Sequence, residues 1–306
     1  MKKPLDNRSL RDASGFTLVE AVMVIVITGI LAAMVAVFIT SPVQGYLDSV
    51  RRAELTDTAD GALRRLVRDV RLALPNSLRT ASSGGVNYIE FIMTSTGGRY
   101  RDATDGSKSG NFLYASGSAT FDALGMPTNT TPAISPGEII NPGDYVVVYN
   151  LGENYDPGNA YTGGNRAQVA AGPPVCPGAP QPCTFTLTGN PFPGQTPPLP
   201  SPGSRFQVVP GGVKAVMFAC PSASPGPFYR YSNYGSGFHS TINDSIAALS
   251  GTPPLMATNS TCTVSYSPST ALGRNGLLSI TLKLYDPQGS GESVELFRQI
   301  HVDNSP

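Results

Sequence analysis

Hydrophobic residues form one long uninterrupted run near the start of the chain. From residue 21 to residue 39 almost every position is apolar, and Glu20 is the one carboxylate at the entrance to this run. A helix over residues 18–39 would be about 33 Å long, which is enough to cross the hydrocarbon core of a bilayer. The pattern therefore predicts a membrane-spanning helix.

Apolar positions then recur at steps of three and four over residues 55–73, which is typical of an amphipathic helix with one buried face. Ser41 and Pro42 lie between the two patterns, and they allow either a kink in one long helix or the start of a second helix. We predict helix over residues 16–75, ending at Leu74-Pro75-Asn76.

The polar face of the amphipathic helix is rich in arginine. Asp60 with Arg64 and Arg65 with Asp69 have the i,i+4 spacing of weak ion pairs. The arginine run is most simply a solvated face. Its sharper alternative is a surface that binds an acidic partner.

Residues 76–306 predict a β-rich head. Runs of β-branched and aromatic residues between turn signals predict strands at 86–93, 112–114, 145–149, 184–188, 213–220, 228–231, 262–266, 277–285 and 293–302. The last two are spaced as a hairpin. We expect an α+β fold in which the long helix packs on an antiparallel sheet.

Prolines crowd residues 172–203, and only residues 184–188 of that segment could form a strand. Because proline cannot donate a ladder hydrogen bond, we expect an exposed excursion that stays out of any central sheet. Cys176 and Cys183 would close it.

Four cysteines follow the membrane segment, in a region that the basic leader places across the membrane from the cytoplasm. Three disulfide pairings are compatible with the sequence. We favour Cys176 with Cys183, which closes a short proline-rich loop, and Cys220 with Cys262, beside two predicted strands. The loop lengths correspond to about 2.5 and about 4 kcal/mol of stabilisation, respectively.

Composition and motifs argue against several functional classes. Lysine plus arginine and aspartate plus glutamate number 21 each, so no nucleic-acid partner is indicated. The usual catalytic motifs are absent, so we predict no enzyme, no catalytic residue and no cofactor. No cysteine or histidine spacing predicts a metal site, and the loop at 101–106 lacks the ligand density of a calcium loop.

The first fifteen residues differ in character from the apolar run after them. They carry a basic excess and end at Gly15, so the break between Gly15 and Phe16 precedes that run. Cleavage there, unlike signal-peptide cleavage, would leave the helix on the mature protein. Glu20 would then be a charged residue within lipid, and the new α-amino group of Phe16, on its own chain or a neighbour, is its nearest cationic partner.

The segment Gly15-Phe16-Thr17-Leu18-Val19-Glu20 before a long apolar run resembles the class III signal of type IV prepilins and type II secretion pseudopilins. The resemblance implies that a prepilin peptidase cuts after Gly15 and methylates Phe16, and that Glu20 pairs with the amine of a neighbouring subunit. An ordinary uncleaved membrane anchor is the alternative.

Shorter stretches at 62–71, 74–79, 228–235 and 299–306 are similar to the large minor pilins of the mannose-sensitive haemagglutinin pilus system, which are related to the J-type pseudopilins. This resemblance implies a minor subunit in or near the filament tip. The chain would cross the bacterial inner membrane once, with its C-terminal domain in the periplasm or, at the filament tip, at the cell surface.

The same resemblance implies a set of partners: other minor and major pilins, the prepilin peptidase, the inner-membrane assembly platform and membrane lipid. A head of about 230 residues also favours a minor subunit, because so large a domain would crowd a helical array. The alternative is an anchored adhesin or substrate-binding module that uses the tyrosines of residues 229–234 and the proline-rich insert.

Overall fold

A computed structural model describes residues 15–103, 109–124, 139–172, 175–176, 182–268, 275–289 and 291–306. Residues 1–14, which make up most of the predicted leader, lie outside the described residues, as does part of the 101–106 loop. The chain forms two compact units, the first ending at Ala53 and the second beginning at Glu54.

Helix α1 (Leu18–Val70) begins in the first unit and ends in the second. Its backbone is helical through Ser41 and Pro42, so the alternative of a second helix starting there is wrong. Within the first unit, Leu18–Ala36 has the length and composition of a single membrane anchor, and none of its side chains is buried.

The helix ends at Val70, short of the predicted boundary. The reason is that the next residues already pair with the sheet: the Leu74 N–H donates to the Ile92 carbonyl at 2.8 Å, and Ala73 forms a bridge with Met93. Leu74 is completely buried there. The sheet therefore competes successfully for backbone groups that a longer helix would need.

The described part of the second unit contains thirteen strands and a short α-helix. In chain order they are β1 (Arg79–Ser83), β2 (Val86–Ile92), β3 (Thr96–Tyr100), β4 (Thr120–Leu124), β5 (Tyr145–Val147), β6 (Arg166–Gln168), β7 (Cys183–Thr186), β8 (Arg205–Val209), β9 (Ala215–Pro221), β10 (Gly226–Ser232), α2 (Ile242–Ala247), β11 (Leu255–Ser267), β12 (Asn275–Tyr285) and β13 (Ser293–Asp303).

Seven strands form an antiparallel sheet in the order β1-β2-β9-β10-β11-β12-β13. The end of α1 covers one face of this sheet, where Leu63, Leu66 and Val70 pack against Phe91, Phe218 and neighbouring strand residues. The α+β arrangement expected from the sequence is confirmed. The energy for this packing comes from the apolar stripe of α1, in which Ala59, Leu63, Leu66 and Val70 are buried.

Six strands form a second antiparallel sheet that closes on itself, a feature the sequence did not predict. Its order is β6-β5-β8-β3-β4-β7. The two outer strands are joined by a bridge from Val169 to Leu187 and by hydrogen bonds from Ala170 to Thr186 and from Thr188 to Gln168. The result is a small barrel, inserted in the chain between β2 and β9.

The barrel interior explains one wrong prediction. Residues 112–114, expected to be a strand, form a turn in which Leu113 is completely buried. Leu113 joins Phe121, Phe185 and Phe206 in the barrel core. A loop that supplies core residues is hydrophobic without being a strand, so local composition misled the prediction.

In the proline-rich segment the strand predicted at 184–188 is found as β7, but the prediction of an exposed excursion is wrong. Its strand β7 belongs to the barrel wall, and Phe192, Gln195 and Ser201 are buried. The hydroxyl of Tyr114 donates to the Leu199 carbonyl at 2.7 Å, and the Gln195 amide donates to the Gly164 carbonyl at 3.0 Å. Such bonds satisfy the backbone without strand pairing, so in the described part of the segment proline is compatible with burial.

Candidate assembly site and polar clusters of the head

The predicted processing and assembly residues lie at the start of α1. Phe16 and Thr17 are exposed and precede the helix, which begins at Leu18. The Thr17 hydroxyl accepts a hydrogen bond from the Glu20 N–H at 3.3 Å, so Thr17 caps the helix. With Glu20 three residues later, the sequence has the form of a capping box.

Glu20 has no ion pair among the described residues, and its side chain is exposed. In the uncleaved chain the nitrogen of Phe16 belongs to a peptide bond and carries no charge. The structure therefore places Phe16 and Glu20 about one helical turn apart without joining them. An ion pair with the Phe16 amine requires cleavage first.

The apolar segment that begins at Leu18 presents mainly hydrophobic surface. The Thr28 hydroxyl, one of its few polar groups, donates to the Val24 carbonyl at 2.6 Å, so it needs no partner from outside the helix. Leu18, Met34 and Phe38 are among the most exposed residues of this part of α1. The segment has no cover within the first unit, which is consistent with a single membrane anchor.

The four predicted cysteines form the two favoured disulfides. Cys176 bonds to Cys183 of β7, and Cys220 on β9 bonds to Cys262 on β11. The second bridge connects strands that have β10 between them in the sheet order. No cysteine is free.

A buried charged cluster, which sequence reasoning missed, connects four segments of the head. Arg79 on β1 is paired with Glu90 at 2.7 Å and with Glu153 at 2.9 Å. It also donates to the carbonyls of His239 and Ser240 and to the Ser245 hydroxyl. All three nitrogens of the guanidinium are thus used as donors.

Two tyrosines complete this cluster. The Arg79 guanidinium lies 3.7 Å from the centroid of the Tyr161 ring. The Tyr234 hydroxyl donates to the second oxygen of Glu90. Burial and the adjacent Glu90 raise the pKa of Tyr234, so it stays protonated and keeps donating.

A second polar cluster lies in the barrel wall around Asp122. Its carboxylate accepts hydrogen bonds from Arg101, Asn111 and Thr184 at 2.8 to 3.1 Å. Burial alone would raise the pKa of Asp122, but these hydrogen bonds outweigh it and lower the pKa below its usual value. The clusters around Arg79 and Asp122 each connect separate segments of the head.

A cleft of about 820 Å³ lies beside the Arg79 cluster, with Asn76, Tyr149, Glu153, Tyr155 and Tyr266 among its lining residues. Several of its polar groups are already bonded within the head; for example, the Asn76 amide donates to the carbonyls of Asn150 and Asn304. No group of three or more potential metal ligands occurs among the described residues. In the part of the chain that the structure describes, the cleft therefore contains no cluster of metal ligands.

Ion pairs also fix the end of α1 to the sheet. Asp60 contacts Arg64 at 2.6 Å, the predicted pair, and Arg298 of β13 at 2.8 Å. Asp69 was predicted to pair with Arg65, but it pairs with Arg230 of β10 at 2.6 Å. The hydrogen bond from Arg298 is the main cause that lowers the pKa of Asp60.

In a comparison with known proteins, the N-terminal part of the chain matched a family model. Residues 10–36 match the family model described as the prokaryotic N-terminal methylation motif. Neither the curated proteins nor the solved structures gave a match to the chain. The motif, with the exposed apolar helix behind it, supports a type IV pilin-like or pseudopilin-like protein, a structural class that is not normally catalytic.

Proposed function

We propose that this chain is a minor pilin or pseudopilin that supports the assembly of a type IV pilus or a type II secretion pseudopilus. The observation that carries the proposal is the methylation motif together with a mainly apolar helical segment of 19 residues, none of which is buried. In this proposal residues 1–15 are the leader, residues 16–75 the anchoring helix region and residues 76–306 the periplasmic head.

The physical driving force for assembly is burial of the apolar helix. In the membrane, lipid covers Leu18–Ala36. When the subunit leaves the membrane, the same surface would meet water unless helices of other pilins cover it. Assembly therefore transfers the segment from one apolar environment to another, and the inner-membrane assembly platform brings the subunits together.

Glu20 sets the axial register of that packing. A carboxylate within apolar surroundings is costly unless it is paired, and the mature α-amino group of Phe16 supplies a mobile positive charge. Within one chain, Glu20 already lies in the first helical turn, beside Thr17. Pairing with the amine of a neighbouring subunit would remove an uncompensated charge at a single axial offset between the two helices.

The first test is the intact mass and N-terminal sequence of the chain from native membranes, with and without the prepilin peptidase. The proposal predicts a chain that begins at methylated Phe16 only when the peptidase is present. A chain that keeps its leader in both strains would make Glu20 a tolerated residue of an ordinary anchor.

Minor status and the relation to the mannose-sensitive haemagglutinin system are further parts of the proposal. They rest on the large head and on the short similar stretches at 62–71 and 228–235. Quantitative mass spectrometry of sheared filaments should find this chain at a small fraction of the principal subunit. A chain found as the main component would contradict minor status.

The adhesin alternative has less support from the features that suggested it. Strand β7 and the buried Phe192 of the proline-rich segment belong to the barrel, and Tyr234 is buried against Glu90, whereas Tyr229 and Tyr231 are half-buried. Removing residues 172–203 would delete β7, so the deletion would disrupt the barrel and could not test recognition. We therefore do not propose a binding role for these two segments.

A further inference from the structure

The last three turns of α1 carry a stripe of arginines that the proposed assembly through Glu20 does not use. Arg64, Val67 and Arg68 share one face of α1 through their i, i+3, i+4 spacing. Arg71, the first residue after the helix, continues the stripe because its N–H still donates to the Val67 carbonyl at 3.2 Å. Together with Arg298 and Gln299 of β13, they line a groove of about 400 Å³. All six residues belong to the second unit.

The groove is strongly positive and only partly neutralised. Asp60 pairs with Arg64 and Arg298, at one end. Arg68 and Arg71 have no acidic partner among the described residues, and both are exposed. Like charges spaced i,i+4 on a helix, as Arg64 and Arg68 are, repel each other and weaken the helix slightly. Asp60 already offsets this repulsion at Arg64, so the charges left for an external anion are those of Arg68 and Arg71.

The other wall of the groove is an open sheet edge. β13 is the outermost strand of the seven-stranded sheet, and its eleven residues pair with β12 without a bulge. It contains no proline and no lysine, and its charged residues are Glu295, Arg298 and Asp303. Phe297, in the middle of the strand, is 55% exposed.

The remaining edges of the described head are short or closed. β1, at the opposite end of the sheet, has five residues, and α2 packs next to it. The second sheet closes into a barrel and so has no comparable edge. Among the described strands, β13 therefore offers the longest row of unpaired backbone groups.

We propose that β13 and the arginine stripe receive an extended acidic segment of another filament subunit, which adds as a strand to the sheet edge. The backbone of that segment would pair with β13, and its carboxylates would bind Arg68 and Arg71. That the partner is a filament subunit rests on the proposed function. That the groove binds an acidic extended segment does not rest on the proposed function, because it follows from the positive stripe beside an unpaired strand.

The experiment measures peptide binding to the full chain in nanodiscs of neutral lipid. The probe is a fluorescent peptide that alternates glutamate with valine, because this pattern is both acidic and strand-forming. A second peptide replaces alternate valines with proline, which retains the charge but prevents strand pairing. Binding is followed by fluorescence anisotropy, and protection of β13 amides by hydrogen exchange.

The proposal predicts that the first peptide binds and protects β13, and that the proline peptide binds at least about tenfold more weakly. Replacing both Arg68 and Arg71 with glutamine should also weaken binding at least about tenfold. Arg65→Gln is the matched control, since Arg65 is an exposed arginine of the same helix that does not line the groove, and it should change affinity less than about twofold.

Three results would overturn the inference. Equal binding of the proline peptide would show that charge alone attracts the probe. An equal loss with Arg65→Gln would show that the groove is not the site. Failure of the peptide to bind, together with arginine-dependent binding to phosphatidylglycerol vesicles, would identify a lipid surface. None of these results affects the intact-mass and N-terminal sequencing test of the proposed function. Either proposal can therefore be contradicted without the other.

Discussion

The N-terminal and C-terminal parts of α1 are both rich in apolar residues, but they differ in how far their side chains are buried. Every side chain from Leu18 to Ala36 is exposed, whereas Leu63 and Leu66 are completely buried against the sheet. The first segment has no polar face, so no single sheet could cover it. The second has one apolar face and a charged one. The comparison shows that the apolar stripe of the second segment is covered within the second unit, whereas the first segment has no cover within the first unit.

The largest expected effect concerns the stability of the head, which depends on its buried charged cluster. Arg79→Ala should lower the free energy of unfolding by about 4 kcal/mol, because it leaves the buried carboxylate of Glu90 without its cation. Urea unfolding of the full chain in detergent, followed by the near-ultraviolet circular dichroism of its tyrosines, measures this. Arg205→Ala, at an exposed arginine of β8, should change stability by less than about 0.5 kcal/mol. Similar losses in both variants would contradict the role of the cluster.

A matched pair of leucines tests the comparison itself. Leu66→Ala should cost the head about 3 kcal/mol, since it opens a cavity between α1 and the sheet. Leu31→Ala removes the same atoms from the exposed segment and should leave the unfolding of the head unchanged. The two variants are compared by the same urea titration. A loss of stability with Leu31→Ala would show that the anchor is packed on the head.

A smaller effect depends on pH and concerns the barrel. Because the folded pKa of Asp122 lies below its unfolded value of about 3.9, ionised Asp122 stabilises the fold above that pH. The contribution is lost as the pH falls through the folded pKa. Asp122→Asn should cost about 2 kcal/mol at neutral pH, and the difference from wild type should shrink below a pH of about 4.

Stability curves of the wild type and the Asp122→Asn variant across this range provide the measurement. Asp57→Asn, at an exposed aspartate of α1, is the control variant and should change stability by less than about 0.5 kcal/mol at neutral pH. A difference from wild type that grew on acidification would contradict the sign of the linkage.

Sequence patterns revealed the local features of this fold and missed the long-range ones. The helix and the hairpin of β12 and β13 have long, periodic signals, and each forms contacts between near neighbours in sequence. The barrel has strands of three to five residues whose partners are distant, such as β3 with β8. Glycines in β3 further weaken its strand signal. Closure of such a sheet depends on pairings that no local pattern specifies.

The functional and clustered residues also fall into those that the sequence predicted and those that it missed. Glu20 stands out in the sequence because a charged residue is unusual in an apolar run, and Gly15 and Phe16 stand out because they mark the break before that run. Arg79, Glu90 and Tyr234 give no such signal, because their partners come from separate segments. The sequence of β2 offered one weak hint, since Glu90 occupies a position among apolar neighbours that are buried.

Incorporation of Glu20→Ala into sheared filaments tests the central claim most directly. The account predicts that this variant is made, inserted and processed normally but is strongly depleted from filaments, because the Phe16 amine of its neighbour loses its carboxylate. Glu54→Ala, at an exposed glutamate of the same helix beyond the apolar segment, should enter at the wild-type level. Wild-type incorporation of Glu20→Ala would contradict the account.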